Sequence, residues 1–128
     1  MPLTRLLYAE DDPDTRDLIV LALEMEGFEV VCPSTTKDFL RLAQEEMWHL
    51  FMLDTWMPEI DGFTLCNKIR AFDPFTPVVF YSGAALEWDK QRAFDCGAAD
   101  YVVKPIELEI LIERLRSVVA SAQPAGSR

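Results

Sequence analysis

The chain has 128 residues, with 12 Lys and Arg against 22 Asp and Glu, a formal net charge of −10. At roughly 150 residues per domain this supports one domain, and half the residues are hydrophobic, enough for a real core. The acidity excludes nucleic acid and anionic lipid as direct partners, the single histidine (His49) excludes His-rich metal centres, and no apolar run approaches the ~20 residues of a membrane helix.

Strands and helices alternate along the chain. Leu6 to Ala9 is a short apolar run leading into Glu10, Asp11 and Asp12, as a buried strand reaching a polar crevice would. Asp12-Pro13 supplies an N-cap and a proline at the first helical position, Leu18, Leu21, Ala22 and Met25 form a helical stripe, and Gly27 sits where a left-handed C-cap belongs. Phe28 to Cys32 reads as the second strand. The second helix covers about residues 36–47, with Phe39, Leu40, Ala43 and Met47 on one side. Leu50 to Leu53 is an uninterrupted apolar strand ending at Asp54, followed by a helix from about Phe63 to Arg70 with Cys66 and Ile69 inward. Pro77 to Tyr81 is the fourth strand and ends at Ser82-Gly83. The fourth helix covers about 87–96 and stops at Gly97. Tyr101 to Val103 leads to Lys104-Pro105, and the last helix carries Leu108, Leu111, Ile112, Leu115 and Val119 on one face. Five strands, each followed by a helix, make a (βα)5 α/β chain, and strands apolar on consecutive residues fit a parallel sheet covered on both faces. The domain is expected over residues 1–122, with 123–128 a C-terminal tail or the start of a linker. Cys32, Cys66 and Cys96 lack CxxC spacing and read as reduced core thiols of a cytoplasmic protein without a signal peptide.

The polar residues cluster by position. Glu10, Asp11 and Asp12 follow strand one, Asp54 ends strand three, Ser82 ends strand four and Lys104 ends strand five. With right-handed crossovers and strand order 2-1-3-4-5, ligands bind beyond the carboxyl edge between strands one and three. Carboxylates gathered there repel unless one keeps a proton or a hard divalent cation joins them, and Mg2+ suits a few carboxylates plus a phosphate oxygen. A nearby hydroxyl and ammonium then describe a carboxylate that accepts a phosphoryl group.

Four motifs in register resemble the response-regulator receiver domains of two-component signalling, the CheY-like superfamily. They are Glu10-Asp11-Asp12; Leu53-Asp54-Thr55-Trp56-Met57-Pro58 with Asp61-Gly62; Pro77-Val78-Val79 leading to Ser82-Gly83; and Gly97-Ala98-Ala99-Asp100-Tyr101 leading to Lys104-Pro105. The resemblance covers about residues 4–120 and implies a flavodoxin-like doubly wound sandwich. It implies that Asp54 is the phosphoacceptor and that Lys104 and Ser82 bind the phosphoryl group. It implies that Glu10, Asp11, Asp54 and the backbone carbonyl of Trp56 hold Mg2+, or Mn2+ in its place. Ser82 and Tyr101 would form the switch, with Tyr101 rotating inward on activation, and Lys104-Pro105 would be a cis peptide. The face made by helix four, strand five and helix five would carry output, with Trp88, Tyr101 and Ile110 at its surface. The implied phosphodonor is a histidine kinase or histidine phosphotransfer protein, the implied recipient a downstream protein target or an output domain, and a homodimer is a further expectation. Trp56 stands where the family more often has a smaller side chain, and Ala84, two residues after Ser82, offers no group to orient water, so self-dephosphorylation is expected to be slow. A constitutive docking module of the same fold is the alternative. A haloacid-dehalogenase-like phosphatase is rejected, because it needs a second Asp where this chain has Trp56.

Overall fold

The computed structural model describes residues 3–122. Ten elements alternate: β1 (Thr4–Ala9), α1 (Pro13–Glu24), β2 (Phe28–Val31), α2 (Thr36–Glu45), β3 (Leu50–Leu53), α3 (Gly62–Phe72), β4 (Val78–Ser82), α4 (Glu87–Asp95), β5 (Asp100–Val103) and α5 (Leu108–Ser121). The strands form one parallel sheet of order β2-β1-β3-β4-β5, the order expected from the sequence. Every residue of β3 and β4 is buried, because both faces of the sheet are covered by helices.

Alternation along the strands sorts the core into two halves. Leu7, Phe51, Leu53, Val78 and Phe80 point one way and pack with Phe39, Phe63, Ile69 and Ala93 of α2, α3 and α4. Leu6, Tyr8, Leu50, Met52 and Val79 point the other way and meet Ile19 and Leu23 of α1 and Leu111 and Leu115 of α5. Local chemistry sets the helix starts. Asp12 caps α1 by accepting from Thr15 N, with Pro13 in the first turn, Thr35 caps α2 through Asp38 N, and Asp61 caps α3 through Thr64 N. Gly27 and Gly97, at φ +91° and +94°, turn the chain after α1 and α4 in the left-handed region that glycine tolerates.

Three expectations need correcting. On α1 the buried residues are Ile19 and Leu23, while Leu18, Leu21 and Met25 face outward. Residues 18–23 are all apolar, so several stripes one residue apart satisfy the same periodicity and the pattern cannot choose among them. The second helix ends at Glu45, so Met47 lies beyond it and is 85% exposed. Trp48 is buried nearby, its Nε1 donating to the Leu42 carbonyl at 2.9 Å and its ring lying 4.1 Å from the Arg5 guanidinium carbon. Of the three thiols only Cys66 is fully buried; Cys32 and Cys96 are half-buried, and all three are free. Residues 123–128, expected as a tail, lie outside the described residues. Among the described residues no helix is long and apolar enough to cross a membrane.

Truncation on the two sides of α1 separates these faces. Leu23→Ala removes a side chain with no exposed surface and is expected to cost about 2–5 kcal/mol, whereas Leu21→Ala, at 59% exposure, is expected to stay within about 0.5 kcal/mol, both read from urea unfolding midpoints.

Candidate functional site

The strand order sets β1 beside β3, and the chain leaves both at the same edge of the sheet. Glu10 and Asp11 follow β1 and Asp54 follows β3, whose ladder continues one step further through Asp54 N donating to the Ala9 carbonyl at 3.1 Å. Ligand oxygens of Glu10, Asp11 and Asp54 lie within 4.8 Å of one another. Lys104, just past β5, reaches them: its Nζ donates to Glu10 Oε1 at 2.7 Å and to Asp54 Oδ2 at 3.3 Å, and it lies 5.1 Å from the centre of the Tyr81 ring. Tyr8, two residues before Glu10 and so on the same side of the strand, donates its buried hydroxyl to Glu10 Oε1 at 3.0 Å. Asp12 N donates to Glu10 Oε2 at 3.3 Å, while the Asp12 carboxylate is taken up by the α1 cap.

Burial dominates the titration of this group. It pushes the Glu10 carboxyl above its ordinary range, with the Asp54 charge adding to it, although the Lys104 ammonium pulls the other way. Burial also opposes the charge on Lys104, but hydrogen bonding and attraction to Glu10 and Asp54 overcome it and hold Lys104 above its usual value. Tyr8 is pushed far upward, first by burial and then by the neighbouring Glu10 charge, so its hydroxyl keeps its proton as a donor.

Asp54 is held from its own chain. Thr55 N donates to Asp54 Oδ1 at 2.7 Å, leaving Oδ2 on the side of Lys104. The loop folds back tightly: Gly62 N donates to the Thr55 carbonyl at 2.6 Å, and a Cβ on Gly62 would collide with the Asp54 carbonyl oxygen and the Phe80 ring. Only glycine fits at the start of α3. Ser82 is buried and its Oγ accepts from Ala84 N at 3.1 Å. The Lys104–Pro105 peptide is cis.

Tyr101, expected at the surface of the output face, is buried instead. It stands opposite Phe80 in the β4–β5 register, which directs its ring into the sheet face shared with Phe63, and it stacks on Phe80 at 5.8 Å with 8° between planes. Its hydroxyl donates to the Ala84 carbonyl at 2.6 Å and lies 3.1 Å from Thr55 Oγ1. A file of rings continues outward from Phe80 through Phe63 at 5.5 Å to Trp56 at 5.9 Å, the last contact edge-on. Trp56 is 53% exposed at the rim. Arg92 of α4 lies over Phe63 and toward Trp88. Trp88 and Ile110 are exposed, as are Leu86 and Phe94.

The sequence reading missed Tyr8, Thr55 and Tyr81. Strand alternation back from Glu10 would have found Tyr8, and the one small hydroxyl between Asp54 and Trp56 would have pointed to Thr55. Tyr81 had no such signal, because its role depends on the reach of Lys104. The donor set itself, three carboxylates offering hard oxygens at short mutual distance, fits Mg2+ or Mn2+.

The sequence matches the family described as the response regulator receiver domain over residues 6–116. It is 34% identical over 117 residues to the DNA-binding dual master transcriptional regulator RpaA of Synechocystis sp., covering 90% of this chain and 48% of that protein. It is 38% identical over 109 residues to an uncharacterized 14.6 kDa protein of Leptolyngbya boryana, covering 83% of each. The CheY-like response regulator receiver domain protein of Methanospirillum hungatei superposes with a TM-score of 0.88 at 26% identity, over 94% of this chain and 97% of that one. The chain spans about half the length of several of the curated relatives it matches.

The upward displacement of Glu10 has a measurable consequence for stability. A carboxyl raised on folding stabilises fully below its unfolded pKa, and that contribution is lost as pH rises through the folded value. Near neutrality the Glu10 carboxylate therefore opposes folding. Glu10→Gln is expected to raise the melting temperature at pH 7 in metal-free, chelator-containing buffer, with the gain shrinking toward pH 4. Equal differences at both pH values would contradict this.

Proposed function

The chain belongs to the response regulator receiver domain family, and on that premise we propose that it is the phosphoacceptor of a two-component or phosphorelay system, receiving on Asp54 a phosphoryl group from a partner phosphohistidine. The observation that carries this reading is the Asp54 carboxylate at the end of β3, facing the Lys104 ammonium at 3.3 Å and gathered with Glu10 and Asp11 oxygens within 4.8 Å. A carboxylate with one oxygen pinned by Thr55 N presents the other to an incoming phosphorus atom. The new Asp54 O–P bond forms as the P–N bond to the donor imidazole breaks, and the imidazole leaves with that electron pair. Lys104, freed to turn from the carboxylates toward phosphoryl oxygens, compensates the ~1.5–2 negative charges added. The Ser82 hydroxyl, at the end of β4, is the group that follows those oxygens. Glu10, Asp11, Asp54 and the Trp56 carbonyl would hold Mg2+ or Mn2+, which when bound supplies positive charge that neutralises the transferring phosphoryl group.

The donor in this reading is a histidine kinase or histidine phosphotransfer protein. The chain catalyses only its own phosphorylation and the later hydrolysis, which is slow because Ala84 orients no water. The receiver spans residues 1–122, works in the cytoplasm, and passes the signal to a downstream protein or an output domain, with homodimerisation as one route. The exposed apolar side chains at the start of α4 and on α4 and α5, among them Leu86, Trp88 and Ile110, support a docking role for that face. The DNA-binding regulator RpaA, twice as long as the matched segment, supports the output-domain arrangement.

Incubation with acetyl phosphate and Mg2+ is expected to add one phosphoryl group to the intact mass, persisting for minutes or longer. The increment is expected to disappear in Asp54→Asn and when a chelator replaces the metal. An unmodified mass under all three conditions would overturn the assignment.

A further inference from the structure

Tyr101 is held by three contacts, and this chain's own atoms make all of them: the stack on Phe80, the bond to the Ala84 carbonyl and the approach to Thr55 Oγ1. The directions of the two hydrogen bonds follow from chemistry. A carbonyl oxygen only accepts, so the single phenolic proton of Tyr101 goes to Ala84, and Thr55 must be the donor across the 3.1 Å to the phenolic oxygen. The result is a relay from the Thr55 hydroxyl through the Tyr101 hydroxyl to the backbone of the β4–α4 loop, in which each bond polarises the next. Thr55 is enclosed and its backbone is held on both sides. Its side chain has no exposed surface, its amide is committed to Asp54 Oδ1 at 2.7 Å, and its carbonyl receives Gly62 N at 2.6 Å. A hydroxyl buried this way loses its partner if the tyrosine swings out, and burying it unpaired is costly.

We propose that Thr55 is the positioning residue for Tyr101, donating the hydrogen bond that keeps the ring inward whether or not Asp54 carries a phosphoryl group. Its functional meaning rests on the receiver reading above. With the ring already held, phosphorylation acts on a loop whose carbonyl at Ala84 is engaged beforehand. The same residue grips Asp54 with its amide and Tyr101 with its hydroxyl, so the two groups share one anchor.

The chain has three tyrosines, Tyr8, Tyr81 and Tyr101, so a 13C-tyrosine-labelled full chain gives ring signals that Tyr101→Phe assigns. In the unmodified wild type the Tyr101 signal is expected to carry the ring-current shift of a ring stacked on Phe80. Thr55→Val, which removes the hydroxyl and keeps the branched shape, is expected to move the equilibrium outward by on the order of tenfold, displacing the signal toward that of free tyrosine. Thr55→Ser is expected to restore it, and Thr55→Ala makes the same comparison where circular dichroism finds the valine variant unfolded. A Tyr101 signal unchanged by loss of the hydroxyl overturns the proposal. So does a wild-type signal that starts at the free position and moves inward only with acetyl phosphate and Mg2+. Because the first comparison uses no phosphodonor, a chain that fails to gain a phosphoryl mass would refute the receiver reading while the Thr55 result still stands or falls alone.

Discussion

The carboxyl edge of the sheet is governed by one cation, Lys104, shared between two carboxylates that come from different strands. Glu10 is buried beside Asp54, and without a counter-charge two such groups would repel in a medium that screens poorly. Lys104 begins on the far side of this problem. It follows β5, and β4 lies between β5 and β3. Two strand spacings amount to roughly 10 Å, which only a long unbranched side chain covers. The ring of Tyr81 on the intervening β4 lies 5.1 Å from the ammonium and gives the crossing an attractive surface. The strand order, the identity of residue 104 and the aromatic residue at 81 are therefore one requirement expressed in three places.

A second constraint is the tight return of the chain after β3. Asp54, Thr55 and Trp56 are consecutive yet face three environments: the acidic crevice, the interior and the solvent rim. The loop can distribute them so because Gly62 lets the start of α3 press against the Asp54 carbonyl, fixing the segment between them at both ends. The same return brings Trp56 onto Phe63, and so to the inner end of the ring file at Tyr101. The rim and the interior are thus connected by packing as well as by the backbone of one short segment.

What the sequence made legible was residue type at strand ends. Asp54 after an unbroken apolar run, acids after the first strand and Lys before Pro after the last are positional facts, and parallel topology carries them to one edge whatever the side chains do. Orientation was less legible. The six apolar residues 18–23 of α1 satisfy the helical period in more than one way, and only the neighbouring β-sheet decides that Ile19 and Leu23 go inward. Tyr101 depends on its register opposite Phe80, a pairing between segments about twenty residues apart that no local pattern encodes. Tyr8 was readable in principle, since strand alternation ties it to Glu10, but a tyrosine in an apolar run looks like packing until its hydroxyl finds a carboxylate.

The helices on one face of the sheet are unequally gripped, and this bears on how a change at the crevice spreads. On α3 five residues are buried, whereas on α4 only Asp89 and Ala93 are. Asp89 is itself spent on the backbone, accepting from Leu86 N at 3.3 Å to close the start of the helix. Little apolar area then resists displacement of α4, and such thinly anchored elements are the ones that move at low free-energy cost. The segment leading into this helix is held at Ala84 by Tyr101 and by Ser82 Oγ, two side chains from the adjacent strands β5 and β4. A change in either hydrogen bond is therefore delivered to the helix with the weakest hold on the core, and the indole of Trp88 and the ring of Phe94 ride on it at the surface. Geometry at the carboxyl edge and exposure of an apolar face are coupled through one short loop, because both hydrogen bonds that hold it converge on Ala84.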